Sequence, residues 1–196
     1  MNLRVLNPDR YRRMPWKNGR GETVEIAIFP PGADLKTFEW RISSASVASD
    51  GPFSSFSGID RTLCVLSGKG ILLSVGTGEP QAIGPDTAPF SFPADTAAVA
   101  RLIDGPIIDL NVMTRRAVWR HTVCRQKLLP DDVLNLEAAQ TIVFCQSGAM
   151  TVKGGTGLVL APPGATLIIE GDADPHEFQA TEPTIAFVIK LEQKNG

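Results

Sequence analysis

"TLCVLSGKGILLS" (62–74) and "IVFCQSGAMTVKG" (142–154) are one short pattern written twice, eighty positions apart. Each copy is an apolar run, a Ser-Gly pair (Ser67-Gly68, Ser147-Gly148) and a second apolar run, as expected of two strands joined at a glycine-containing turn. Each is followed by a strand-like stretch marked by proline, "FSFPAD" (90–95) and "LVLAPPGATLIIE" (158–170). Strand, turn, strand and Pro-marked strand is how half of a jelly roll reads. Its repetition favours two β-barrels over one irregular sandwich.

Working outward, "TVEIAIF" (23–29), "TFEWRIS" (37–43), "RTLCVLS" (61–67), "GILLSV" (70–75), "IIDLNVM" (107–113), "TIVFCQS" (141–147) and "TIAFVIK" (184–190) read as further strands. Turns drawn from 18 glycines and 15 prolines separate them, so the expected class is all-β. Alternation puts Phe38, Trp40 and Ile42 on one face, with Glu39, Arg41 and Ser43 opposite. It likewise puts Asp109, Asn111 and Met113 together, away from Ile108, Leu110 and Val112. Helix is expected for one turn at "NPDRYRR" (7–13), with Asn7 as cap and Pro8 in the first position. "PDDVLNLEAAQ" (130–140) reads as a second helical turn or a linker.

Length allows one large domain or two small ones, and 43% hydrophobic with 20% charged residues is the balance of a globular chain with a real core. A formal charge of −2 without a basic run argues against nucleic acid or anionic membrane as partner. No stretch approaches the ~20 consecutive apolar residues of a membrane-spanning helix. The N-terminus lacks the apolar segment of a secretory signal, and Cys64, Cys124 and Cys145 have no close spacing. Together these predict a cytoplasmic protein with reduced thiols.

His121 and His176 are far apart and no His-x-His pair exists, whereas a transition-metal centre needs three or four clustered ligands. No metal or other cofactor is expected. There is no Gly-x-Ser-x-Gly, and in "RMPWKNGRGETVEI" (13–26) the lysine precedes the glycines, unlike a phosphate loop. What remains is a set of polar residues inside apolar strands: Glu25, Arg41, Arg61, Asp109 and Asn111. Such residues face water, pair across sheets, or line a barrel mouth. In the last case two arginines suit a carboxylate, which the guanidinium fork binds bidentately, and Lys17 and Asn18 add donors at the rim. The rival is an enzyme using Glu25, Asp109 or Lys17 as acid or base. Exposed β edges leave room for a homodimer.

"PWKNGRGETVEIA" (15–27), "FEWRISSASVASDGPFSSFSGIDRTLCVLSGKG" (38–70) and "DGPIIDLNVMTRR" (104–116) resemble the HutD/Ves family, in order, through about the first 116 residues. The resemblance implies a bicupin, two cupin-like jelly-roll barrels in one chain, without the usual metal ligands. It implies an accessory or regulatory protein of bacterial histidine utilisation that binds a small carboxylate such as N-formylglutamate or urocanate. The alternative is a metal-independent isomerase or hydrolase on such a substrate. Carried over by motif, the ligand-binding residues are Trp16, Lys17, Asn18 and Gly19, then Arg41, Ser43, Asp50, Phe53 and Arg61, then Asp109, Asn111 and Met113. Glu25 joins them as the polar start of its strand, and Trp16 is expected to shield the mouth.

The chain departs from the family where Arg20 replaces a usual glycine, Val24 a common arginine and Ser57 a usual proline. "DGPFSSFSG" (50–58) is either pocket wall or a turn-rich crossing in which Phe53 and Phe56 fill core. The expected division is an N-terminal barrel over 1–118 with the ligand pocket and a C-terminal barrel over 119–196, the two free to exchange strands. "LVLAPPGATLIIEG" carries few converging polar groups, so the second barrel is expected to be filled.

Overall fold

A computed structural model describes all residues except 1, 17, 18, 20, 137–139, 155–156, 172–175 and 195–196. The strands are β1 (Asn2–Leu6), β2 (Arg12–Pro15), β3 (Gly21–Phe29), β4 (Trp40–Val47), β5 (Gly51–Pro52), β6 (Ile59–Ser67), β7 (Ile71–Val75), β8 (Gln81–Ile83), β9 (Phe90–Pro93) and β10 (Ala98–Leu102). They continue with β11 (Ile107–Arg115), β12 (Trp119–Leu128), β13 (Val133–Leu136), β14 (Gln140–Ser147), β15 (Met150–Gly154), β16 (Gly157–Ala161), β17 (Thr166–Glu170), β18 (His176–Ala180) and β19 (Thr184–Gln193). The fold is all-β, as the sequence predicts. Pro8–Arg10 forms one 3-10 turn, closed by the Arg10 N–H on the Asn7 carbonyl at 3.0 Å. Among the described residues of 130–140 no helical turn forms: Val133–Leu136 is a strand on β18, because its alternating apolar residues complete a sheet edge. Among the described residues no helix is long and apolar enough to cross a membrane.

The chain divides into two compact units, Tyr11–Arg120 with Gln193–Gly196, and Met1–Arg10 with His121–Glu192. The first unit is a six-stranded sheet, β2-β3-β4-β11-β6-β9, and a four-stranded sheet, β5-β10-β7-β8. Leu63, Val65 and Phe92 from one meet Ile71, Leu73, Ile83, Ala98 and Ala100 from the other in one apolar core. The second unit has the sheets β1-β17-β14-β19-β12 and β13-β18-β15-β16. The first strand of the chain thus pairs with β17, Leu3 opposite Ile169 and Val5 opposite Leu167. Its core is apolar, including Val143, Met150, Leu167, Phe178 and Val188.

The sequence echo has a local cause. Gly68 and Gly148 both sit at positive φ, 93° and 74°. A Cβ at Gly68 would strike the Pro106 carbonyl, and one at Gly148 the Pro183 carbonyl. The same turn is pressed against the same kind of carbonyl in both barrels, and only glycine fits there.

Candidate functional site

The site is built on the six-stranded sheet, where pairing register aligns the polar residues in rows. Met113 on β11 stands opposite Arg41 on β4 and Arg61 on β6. Asn111 stands opposite Ser43, which stands opposite Glu25 on β3. Asp109 stands opposite Ala45 and Val65. Because paired residues point to the same side, Glu25, Arg41, Ser43, Arg61, Asp109, Asn111 and Met113 share the face that carries Leu63, Val65 and Phe92 into the core. Arg41, Ser43, Arg61, Asp109, Asn111 and Met113 are all buried.

A β-bulge decides which way Glu25 points. The β3–β4 register shifts between Glu25 and Ala27, so Glu25 lies opposite Ser43 while Ala27 lies opposite Ile42 and Phe29 opposite Trp40. Strict alternation would put Glu25 and Phe29 on one face; the extra residue, Ile26, separates them. Phe29 stacks on Trp40 at 5.6 Å between centroids, and Glu25 turns inward. Phe38 departs from its expected face as well. It precedes β4 and packs with Ile59, Ala94 and Met113.

The two arginines have different surroundings. Arg41 donates from Nε to Glu25 Oε2 at 2.7 Å and from Nη1 to Ser43 Oγ at 3.2 Å. Arg61, only 3% exposed, has its guanidinium carbon 5.3 Å from the Phe53 ring centroid, 5.4 Å from Phe56 and 5.7 Å from Phe92. It donates from Nη2 to the Ser54 carbonyl at 3.1 Å; among the described residues no carboxylate lies within ion-pair distance and its Nε–H has no acceptor. Burial lowers its pKa to about 10, with nearby Asp109 raising it and Arg41 lowering it further, so it stays cationic at neutral pH. Phe53 and Phe56 therefore fill core and surround a cation at once.

Asp109 is fully buried. Its Oδ1 accepts from the Ala45 N–H at 3.0 Å and from Asn111 Nδ2 at 2.8 Å, while Oδ2 has no partner among the described residues. Burial pushes its pKa up to about 7, against the opposing pull of the Ala45 N–H, Arg61 and Asn111. Glu25 holds Arg41, and Asp109 acts on Arg61 only through its field.

Trp16 donates from its indole N–H to Thr23 Oγ1 at 2.8 Å, and Thr23 stands opposite Ala45, in the row of Asp109. Its ring covers Gly21 so closely that a Cβ there would strike it. Lys17, Asn18 and Arg20 lie outside the described residues. Asp50 is exposed and caps the Leu102 N–H at 2.7 Å, a loop-fixing contact away from the polar rows. Phe56, Phe92 and the Ser54 carbonyl are site components that motif matching alone did not supply. Only the pairing of β6 with β9, Arg61 opposite Phe92, could have shown the last ring.

Other features carry less chemistry. A surface cleft of about 420 Å³ is lined by Lys36, Ser55, Phe56 and Arg115 among others. Arg115 is committed there to the Phe38 and Lys36 carbonyls at 2.9 and 3.0 Å. Among the described residues no group of three His, Cys, Asp or Glu side chains converges as a metal site would require. In the second barrel the register pairs Ala186 with Cys145 and Val188 with Val143. Its two central strands thus place small or apolar side chains where β11 and β6 carry Asp109, Asn111 and their neighbours.

Protein Ves of Citrobacter koseri is 36% identical over 160 residues, 79% of this chain and 78% of its own length. HutD from Pseudomonas fluorescens SBW25 is 30% identical, with a TM-score of 0.81 over 99% of this chain and 100% of that one. The conserved protein PA5104 of Pseudomonas aeruginosa PAO1, itself of unknown function, gives 0.88 at 29% identity over 98% and 100%. YhhW from Escherichia coli, at 10% identity and a TM-score of 0.71 over the full length of both chains, shares the cupin-like fold alone. A family model described as HutD matches residues 8–187, and the chain belongs to the HutD family.

Proposed function

We propose that this protein is a small-molecule-binding bicupin that takes a carboxylate metabolite into the polar half of its N-terminal barrel, as an accessory or regulatory member of histidine utilisation. One observation carries the reading. Arg61 is a buried cation ringed by three phenylalanines, and among the described residues no carboxylate lies within ion-pair distance of it. A buried charge is costly when unpaired, and a ligand carboxylate supplies the missing partner. Arg61 provides the charge-assisted contact, and Asn111 and Ser43 provide polar groups on the same face. Trp16, with Lys17 and Asn18 beside it in sequence, flanks the end of the row that holds Asp109. Charge-assisted hydrogen bonds of roughly 1.5–3 kcal/mol each, added to modest apolar burial, suffice for micromolar affinity.

The test is thermal unfolding and calorimetric titration with formate, the carboxylate named with the P. fluorescens structure, and with N-formyl-L-glutamate and urocanate. Acids that bind raise Tm, and Arg61→Met removes the shift while the protein stays folded. No shift with any of these acids at millimolar concentration would sink the assignment.

A further inference from the structure

We propose that Asp109 is the proton-carrying, specificity-determining residue of this site: its Oδ2, protonated, donates a hydrogen bond to an oxygen of the bound carboxylate, so binding takes up a proton. The inference rests on the carboxylate-binding reading above. It starts from an asymmetry within one carboxyl group. Oδ1 accepts two N–H donors, whereas Oδ2, equally buried, has no partner among the described residues. An oxygen held on one side and open on the other is fixed in place without being satisfied.

The charged neighbours determine its protonation. From β6, Arg61 faces it and favours the anion; from β4, Arg41 is already engaged by Glu25 of β3. The opposing sheet contributes hydrocarbon, Ile71, Leu73, Ala98 and Ala100. Lys17 and Arg20, between β2 and β3 in sequence, lie outside the described residues. Burial outweighs the favourable contacts and holds the pKa near 7 in the free protein. A second anion docking on Arg61 adds like-charge repulsion to that burial and weakens the one cation favouring ionisation. The proton balance is simple. The ligand enters as the anion, one proton moves from solvent to Oδ2, and the new O–H donates to the ligand oxygen.

This arrangement selects for acceptors. With Oδ2 protonated by an anion docked on Arg61, a carboxylate or formyl oxygen accepts the O–H, while an amide N–H at the same point meets a donor.

The experiment is calorimetric titration of the full chain with formate and with N-formyl-L-glutamate, from pH 6 to 9, in buffers of differing ionisation enthalpy. Expected at pH 8 is uptake of about half a proton or more per ligand bound, with affinity falling toward tenfold per pH unit above 7. In Asp109→Asn the uptake disappears and the affinity becomes independent of pH. Binding by the wild type without proton uptake overturns this inference alone. Uptake that persists in Asp109→Asn assigns the proton elsewhere and also overturns it. Absence of binding at every pH overturns the carboxylate reading and this inference with it.

Discussion

Arg41 and Arg61 stand in one row of the six-stranded sheet, each opposite Met113, yet among the described residues only Arg41 has a carboxylate, Glu25, within ion-pair distance. The pair Arg41–Glu25 is internal to the sheet, and in the proposed function Arg61 is the cation left for a ligand. The two readings separate experimentally because they respond oppositely to loss of charge.

Glu25→Ala leaves Arg41 buried with the Ser43 hydroxyl as its one acceptor among the described residues. Stranding a buried charge in this way costs about 3–5 kcal/mol. Urea unfolding should show that loss, and Glu25→Gln with Arg41→Met should recover most of it. A loss below about 1 kcal/mol would mean that Arg41 does not depend on Glu25.

Arg61→Met replaces a cation among three phenyl rings with an unbranched apolar chain of similar reach. Replacing buried charge by hydrocarbon of similar volume is frequently neutral or stabilising. Stability is therefore expected to rise or to fall by no more than about 1 kcal/mol. A drop above about 3 kcal/mol in chemical denaturation would make Arg61 a structural residue.

Asp109 gives stability a pH dependence whose sign is fixed by its raised pKa. With a folded value of about 7 against 3.8 unfolded, the folded state holds the extra proton between those limits. Its contribution is fully present below pH 4, declines as pH rises to about 7, and is constant above. Asp109→Asn mimics the protonated form, so its advantage over wild type should be absent near pH 4 and largest at pH 8. At about 1.4 kcal/mol per pKa unit, that advantage is at most ~4 kcal/mol. Denaturation curves at pH 4, 6 and 8 check it, and parallel curves for the two proteins would refute it.

The inward row of β11 was legible because Asp109, Asn111 and Met113 obey plain alternation in a strand without irregularity between them. Glu25 was legible as a polar residue in a strand but not as the partner of Arg41. That assignment depends on a bulge at Ile26, and a one-residue shift leaves no periodic trace in seven residues. The environment of Arg61 was hidden for another reason. Its rings come from Phe53, Phe56 and Phe92, brought together by long-range pairing that local pattern does not encode. The two-barrel repeat was readable because the Ser-Gly turn obeys a steric rule that repeats with the fold.

That rule yields the last prediction. Gly68 and Gly148 share positive φ and abut the carbonyls of Pro106 and Pro183. Alanine at either place meets both an unfavourable backbone conformation, about 1 kcal/mol, and a collision with rigid backbone. Gly68→Ala and Gly148→Ala should each destabilise by more than about 2 kcal/mol, since the conformational and steric penalties add. Gly78→Ala serves as the control. Gly78 has ordinary φ and its nearest neighbour, the Val75 carbonyl, is 3.2 Å from an added Cβ, so a smaller change is expected. Equal effects at all three positions in urea unfolding would show that the repeated turn is not what requires glycine.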